Sequence, residues 1–197
     1  MIKILKKMLI GILGIILLIV ITVTIFVNTS PQFGGKASEL SLARINKSAN
    51  FINGAFKNQQ KTLQNTGFKW KTIPQFFTDG NNKTPKKELP YIPLSKEFFN
   101  NKPQQPRITW FGHSTLFIEM DGMNIFIDPM LGEVPAPHPL LGNARFNKKL
   151  PISIENLPEI DLVLISHDHY DHLDYESIQH LKDKVKQFYV PLGIKAH

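Results

Sequence analysis

The chain has 197 residues, is 42% hydrophobic and carries a formal net charge of +7, enough for one domain of ordinary size with its own core. It contains no cysteine, which excludes disulfides, thiolate metal sites and a lipidated amino-terminal cysteine. Residues 31–106 hold twelve basic against four acidic side chains, whereas residues 107–197 hold eight against twelve; positive charge set apart from the chemically rich region argues against nucleic-acid binding.

Residues 1–30 form the first unit. Met8 to Val27 is a run of twenty residues whose only polar members are Thr22 and Thr24, the length that crosses a hydrocarbon layer of roughly 30 Å as a helix. The run is longer than the core of a signal peptide, and Val27-Asn28-Thr29-Ser30-Pro31 offers no small-x-small cleavage site, so a retained single-pass anchor is expected. Lys3, Lys6 and Lys7 on the amino-terminal flank favour a cytoplasmic start, with the soluble part on the far side of the membrane.

Residues 31–106 are rich in Asn, Gln, Lys and Pro and read as a linker or wrap. Their basic surface is solvated or touches anionic headgroups. A short helix is expected within Ala37 to Ile45, and the pairs Phe76-Phe77 and Phe98-Phe99 are candidates for pinning the segment onto a neighbouring surface.

From Arg107 the texture changes to strands. Ile108 to Phe111, Thr115 to Met120 and Asn124 to Ile127 are β-branched and aromatic, and Asp121-Gly122 is a strong hairpin turn. Asp128-Pro129 closes this unit, and a Pro- and Gly-punctuated loop runs to Pro151. Leu162 to Ile165 is a short apolar strand. Asp174 has the character of a helix N-cap, Ile178, Leu181 and Val185 mark one helical face, and Phe188 to Val190 is the next strand. The order is mixed α/β.

Directly after the apolar strand stands His167-Asp168-His169-Tyr170-Asp171-His172. Three imidazoles and two carboxylates in six residues are hard to explain by packing, because such groups are buried only when paired or bound to metal. Imidazole and carboxylate together suit zinc, with iron or manganese also compatible. His167 and His169 can chelate one ion while Asp171 and His172 face a second. The strand end is also where open α/β sheets place their sites.

This pattern resembles the metallo-β-lactamase superfamily, whose signature is His-x-His-x-Asp-His after a buried strand. Trp110-Phe111-Gly112-His113-Ser114-Thr115, Ile127-Asp128-Pro129, Leu157 to Asp161, the motif itself with Leu173-Asp174-Tyr175, and Val190-Pro191-Leu192-Gly193 narrow the resemblance. They look like the branch of N-acylphosphatidylethanolamine-hydrolysing phospholipase D and bacterial membrane-associated zinc-dependent hydrolases. The resemblance implies an αββα sandwich, of which only the N-terminal half is covered, in a partial domain over residues 107–197. It implies two Zn²⁺ ions, the first on His167 and His169, the second on Asp171 and His172, with Asp171 also serving the chemical step. Asp128 would support the metal loop by hydrogen bonds, or else simply form the turn before Pro129. His113 and Arg145 are candidate pocket residues, with a hairpin histidine and a solvated arginine as the alternatives. His138, His180 and His197 have no supporting spacing.

The superfamily site needs a further histidine on the first metal, a bridging aspartate and another histidine on the second, and nothing after His172 fits. Three explanations stay open: a partial reading of a longer hydrolase, which is preferred; a half that pairs with a complementary chain; or a metal-binding remnant. The expected function of the full-length parent is hydrolysis of a phosphodiester or ester, of a lipid or another substrate, by a metal-bound hydroxide, the 197 residues being inactive alone. A lactonase or nuclease of the same superfamily is the alternative enzyme. A non-catalytic, membrane-tethered metal-binding or interaction protein is the alternative of another class.

Overall fold

The computed structural model describes residues 2–60, 70, 74 and 84–196; Phe76-Phe77 lies outside the described residues. The chain begins with helix α1, Ile2–Thr29, whose side chains are exposed apart from the half-buried Phe26 and whose apolar window is long enough to cross a membrane. A 3-10 turn, Pro31–Phe33, follows. Helix α2, Glu39–Asn46, is started by Ser38, whose hydroxyl accepts from Ser41 N, the usual way an N-cap satisfies a free helix-end amide.

Strands β1, Phe51–Ile52, and β2, Ala55–Phe56, form a miniature hairpin that the sequence reading did not anticipate. Its signal was present. Asn53-Gly54 adopts positive φ at both positions, the geometry a two-residue hairpin turn prefers.

The main sheet holds β3 (Arg107–Gly112), β4 (Thr115–Met120), β5 (Met123–Ile127), β6 (Ile160–Leu164) and β7 (Val185–Tyr189), in that spatial order. The first three are antiparallel and the last two run parallel to β5. Helix α3, Tyr175–Leu181, carries the crossover from β6 to β7. Val185, expected on the helical face, instead opens β7, because a 3-10 turn over Lys182–Lys184 ends the helix four residues earlier.

Alternation across the strands gives the sheet two faces. On one, the register aligns Thr109, Phe117, Phe126, Val163 and Phe188. Of these, Phe117, Phe126, Val163 and Phe188 pack with Phe111, Leu131, Leu157 and Leu181 into a core. Phe99, from the turn Lys96–Phe99, joins that core, and Leu94 N donates to Pro151 O, so residues 94–99 lie against the sheet domain. A polar row borders it: Arg107 makes a two-pronged ion pair with Glu119, which is 1% exposed, and stacks its guanidinium 4.0 Å from the Phe98 ring centroid.

The opposite face aligns Trp110, Leu116, Ile127, Leu164 and Tyr189, beside a row of Ile108, Ile118, Ile125 and Leu162. The second row ends on the exposed Gln187 of β7, and the rest of the face is largely apolar, yet Ile108, Trp110 and Tyr189 are more than half exposed.

Candidate metal centre

The site lies where β5 and β6 end side by side. Parallel pairing of Ile127 with Leu164 brings Asp128 level with the start of the motif loop, and Asp128 N donates to Leu164 O at 2.9 Å. Asp128 is 3% exposed and has φ +43°, a backbone that few non-glycine residues adopt. Its carboxylate is fully engaged. Oδ1 accepts from Ser166 N and Oδ2 from Ser166 Oγ, both at 2.7 Å, while His172 Nδ1 stands 2.8 Å from Oδ2. Burial pushes the Asp128 carboxyl up, and the hydrogen bonds from His172 and Ser166 more than offset it, leaving the pKa below its ordinary value.

After Ile165 the chain leaves the sheet and turns tightly, with the amides of His172 and Leu173 both donating to His169 O. This turn gathers the imidazoles. The ring of His167 is 4.5 Å from that of His169 and 4.0 Å from that of His172. His167 Nδ1 faces Ser166 Oγ at 2.9 Å. With Nδ1 of both His167 and His172 turned to protein partners, Nε2 is left as the donor atom a metal would take, the usual arrangement of metal-binding histidines.

His113 joins this group from the β3–β4 turn, held at φ +47° with its carbonyl accepting from Trp110 Nε1. Its Nε2 is 2.9 Å from Asp171 Oδ2, and its ring is 5.1 Å from that of His172. One ligand atom each from His113, Asp171 and His172 lies within 4.8 Å of the others. Nitrogen and carboxylate donors so arranged fit a divalent ion such as zinc. Asp171 and His172, paired by spacing, thus have His113 of the β3–β4 turn beside them, and the ring of His167 stands closer to that of His172 than to that of its expected partner His169.

Arg145 is placed differently from a solvent-facing anion binder. Its Nη1 donates to Leu131 O at 3.3 Å and Nη2 to Phe111 O, and burial lowers its pKa against the pull of Asp174. It ties the end of β3 to the long loop behind the site. Asp174 caps α3 by accepting from Ser177 N at 3.1 Å, and also from Gly132 N. This fixes the segment that follows the motif.

Ser114 and Ser166 were not singled out from sequence, yet both hydroxyls face His172 Nδ1, at 3.1 and 3.4 Å. Only their positions, beside His113 and at the exit of β6, hinted at a role. A cavity of about 530 Å³ beside the cluster is lined by Phe33, Pro135, Asp168, His169, Tyr170 and Asp171. Phe33 meets Tyr170 edge to face at 6.2 Å, so the segment leaving α1 forms one wall. Burial, then the charge of Asp168, raises the Tyr170 pKa.

Residues 107–191 match the beta-lactamase superfamily domain. An uncharacterised protein of Mycobacterium tuberculosis is 38% identical over 108 residues, 54% of this chain and 29% of its own length. N-acyl-phosphatidylethanolamine-hydrolyzing phospholipase D 1 of Caenorhabditis elegans is 36% identical over 90 residues, 44% of this chain and 25% of its own. A metal-dependent hydrolase of Methanopyrus kandleri is 40% identical over 67 residues, 34% of this chain and 23% of its own. The chain thus spans about a quarter of the length of these relatives. With its strand-end motif and this matched profile, the segment 107–191 is similar to the beta-lactamase superfamily domain and to part of several metal-dependent hydrolases.

Proposed function

We propose that this chain carries the metal-binding half of a membrane-anchored hydrolase that cleaves a phosphodiester or ester bond. The observation that carries the reading is the convergence of His172, Asp171 and His113, with Asp128 holding His172 from behind. His167 and His169 would take one ion, and Asp171 and His172 the other, with His113 beside them. Zinc suits these donors best, iron or manganese being compatible. A divalent metal supplies Lewis acidity and lowers the pKa of a coordinated water towards 7. The protein groups do the rest. Asp128 fixes the His172 tautomer, Ser114 and Ser166 hold its ring plane, and Phe33 and Tyr170 narrow the cavity against bulk water.

The likeness to a phospholipase D acting on N-acyl-phosphatidylethanolamine supports a lipid phosphodiester as substrate. The apolar α1 supports a membrane anchor, with the lysines at its start favouring an extracytoplasmic soluble part. The apolar sheet face around Trp110 and Ile108 supports completion of the site by a second sheet layer, from a further segment or a complementary chain, which would also bring the remaining ligands.

The test is hydrolysis of bis(p-nitrophenyl) phosphate and of p-nitrophenyl esters by a polypeptide that also carries the completing layer. Turnover lost on chelation, restored by zinc and abolished by Asp171→Asn supports the reading. Metal-independent turnover, or none with metal bound, contradicts it and favours a non-catalytic tether.

A further inference from the structure

Leu140 and Leu141 are 87% and 65% exposed. They sit on a 3-10 turn, Pro139–Leu141, capped by His138, whose Nδ1 accepts from Leu140 N. Single exposed leucines are ordinary on a protein surface, but here two are adjacent and Phe146 nearby is half exposed. Residues 134–150 contain Arg145, Lys148 and Lys149 and no acid. Exposed leucines and lysines together, without acids, are the composition of a segment that lies among lipid headgroups.

The position of the turn says which apolar phase it meets. The ring of His138 packs against Phe26 of α1 at 6.2 Å, Phe26 packs against Phe33 at 5.3 Å, and Gln32 Nε2 donates to Pro137 O. The run from Met8 to Val27 rises about 30 Å as a helix and matches the hydrocarbon thickness. Phe26 therefore stands at the edge of that layer, with His138 beside it. Leu140, two residues on, lies within about 7 Å of chain from that level.

We propose that this turn is a second membrane contact, with Leu140 and Leu141 inserted into the leaflet in which α1 ends and Lys148 and Lys149 meeting its headgroups. The inference rests on α1 being a membrane anchor, as proposed above. It seats the cavity walled by Phe33 and Pro135 at the bilayer surface, within reach of a substrate that keeps its apolar part in the membrane.

Because the chain has no cysteine, Ile16→Cys, Leu140→Cys, Leu141→Cys and Asp183→Cys each give a unique thiol for a bimane label. Asp183 is exposed at the far end of α3 and serves as the aqueous reference. Each 197-residue variant is reconstituted into phosphatidylcholine/phosphatidylglycerol vesicles containing nitroxide-labelled lipid. Quenching at 16, 140 and 141 several-fold above that at 183 is the expected result. Quenching at 16 with 140 and 141 no higher than 183 overturns the second contact and leaves the anchor standing. No excess quenching at 16 overturns the anchor, and the inference with it.

Discussion

Oδ2 of Asp128 lies 2.8 Å from Nδ1 of His172, so a carboxylate at the end of β5 orients an imidazole that belongs to the loop after β6. Replacing such an outer partner of a metal-binding histidine lowers metal affinity by about 10- to 100-fold. Asp128→Asn should therefore weaken zinc binding by that amount, read by competition with a chromogenic chelator. Affinity equal to that of the unaltered protein would show that His172 needs no such support.

The Arg107–Glu119 pair ties β3 to β4 at the border of the core, with Glu119 buried. Arg107→Leu leaves a buried carboxylate without its counter-charge and should cost about 3–5 kcal/mol of stability. The double variant Arg107→Leu/Glu119→Leu should recover most of the loss. Urea unfolding of the three proteins checks this; a single variant within 1 kcal/mol of the parent, a margin set well below the usual cost of such a break, would contradict it.

Gly112, at φ +104°, ends β3, where a Cβ would stand 2.9 Å from Nη2 of Arg145. Gly112→Ala combines an unfavourable backbone with a clash against the group that ties β3 to the loop behind the site, and should cost about 1–3 kcal/mol. The same substitution at Gly54, also at positive φ but facing open space, should cost less. Equal losses at the two positions would rule out the clash.

Asp161 bridges the sheet, with Oδ1 on Lys186 Nζ and Oδ2 on Asn124 N, both at 2.8 Å. The bond from Lys186, then that from Asn124, holds its carboxyl below the ordinary pKa. A depressed folded-state pKa gives stability that is complete above the ordinary carboxyl range and is lost as pH falls through the folded value. The urea midpoint of Asp161→Asn should thus lie below that of the parent at neutral pH and converge with it in acid. A gap that does not change with pH would contradict the assignment.

The sheet was largely legible in the sequence because its signals are local. Alternating apolar residues mark β3 to β5, and Asp121-Gly122, both at positive φ, turns β4 into β5. The candidate motif loop could be picked out for the same reason, since His167 to His172 are contiguous. What spacing could not show was chain reversal in three dimensions. His113 lies 58 positions before Asp171, and only the β3–β4 turn, brought beside the β6 exit by the sheet order, places them 2.9 Å apart. Arg145 was ambiguous because its role depends on the carbonyls of Phe111 and Leu131, which no local pattern encodes. Val185 was assigned to the helix because its spacing from Leu181 fits both periods, and pairing with Ile160 decides for strand.

The claim on which the rest depends is that the motif loop binds a divalent metal. It is tested most directly by the metal content of the full chain after zinc loading and gel filtration, compared with His172→Ala, Asp171→Asn and His180→Ala, the last an exposed histidine on α3. Metal should be retained by the unaltered chain and by His180→Ala and lost from the two motif variants; metal content indifferent to the motif substitutions would contradict the account.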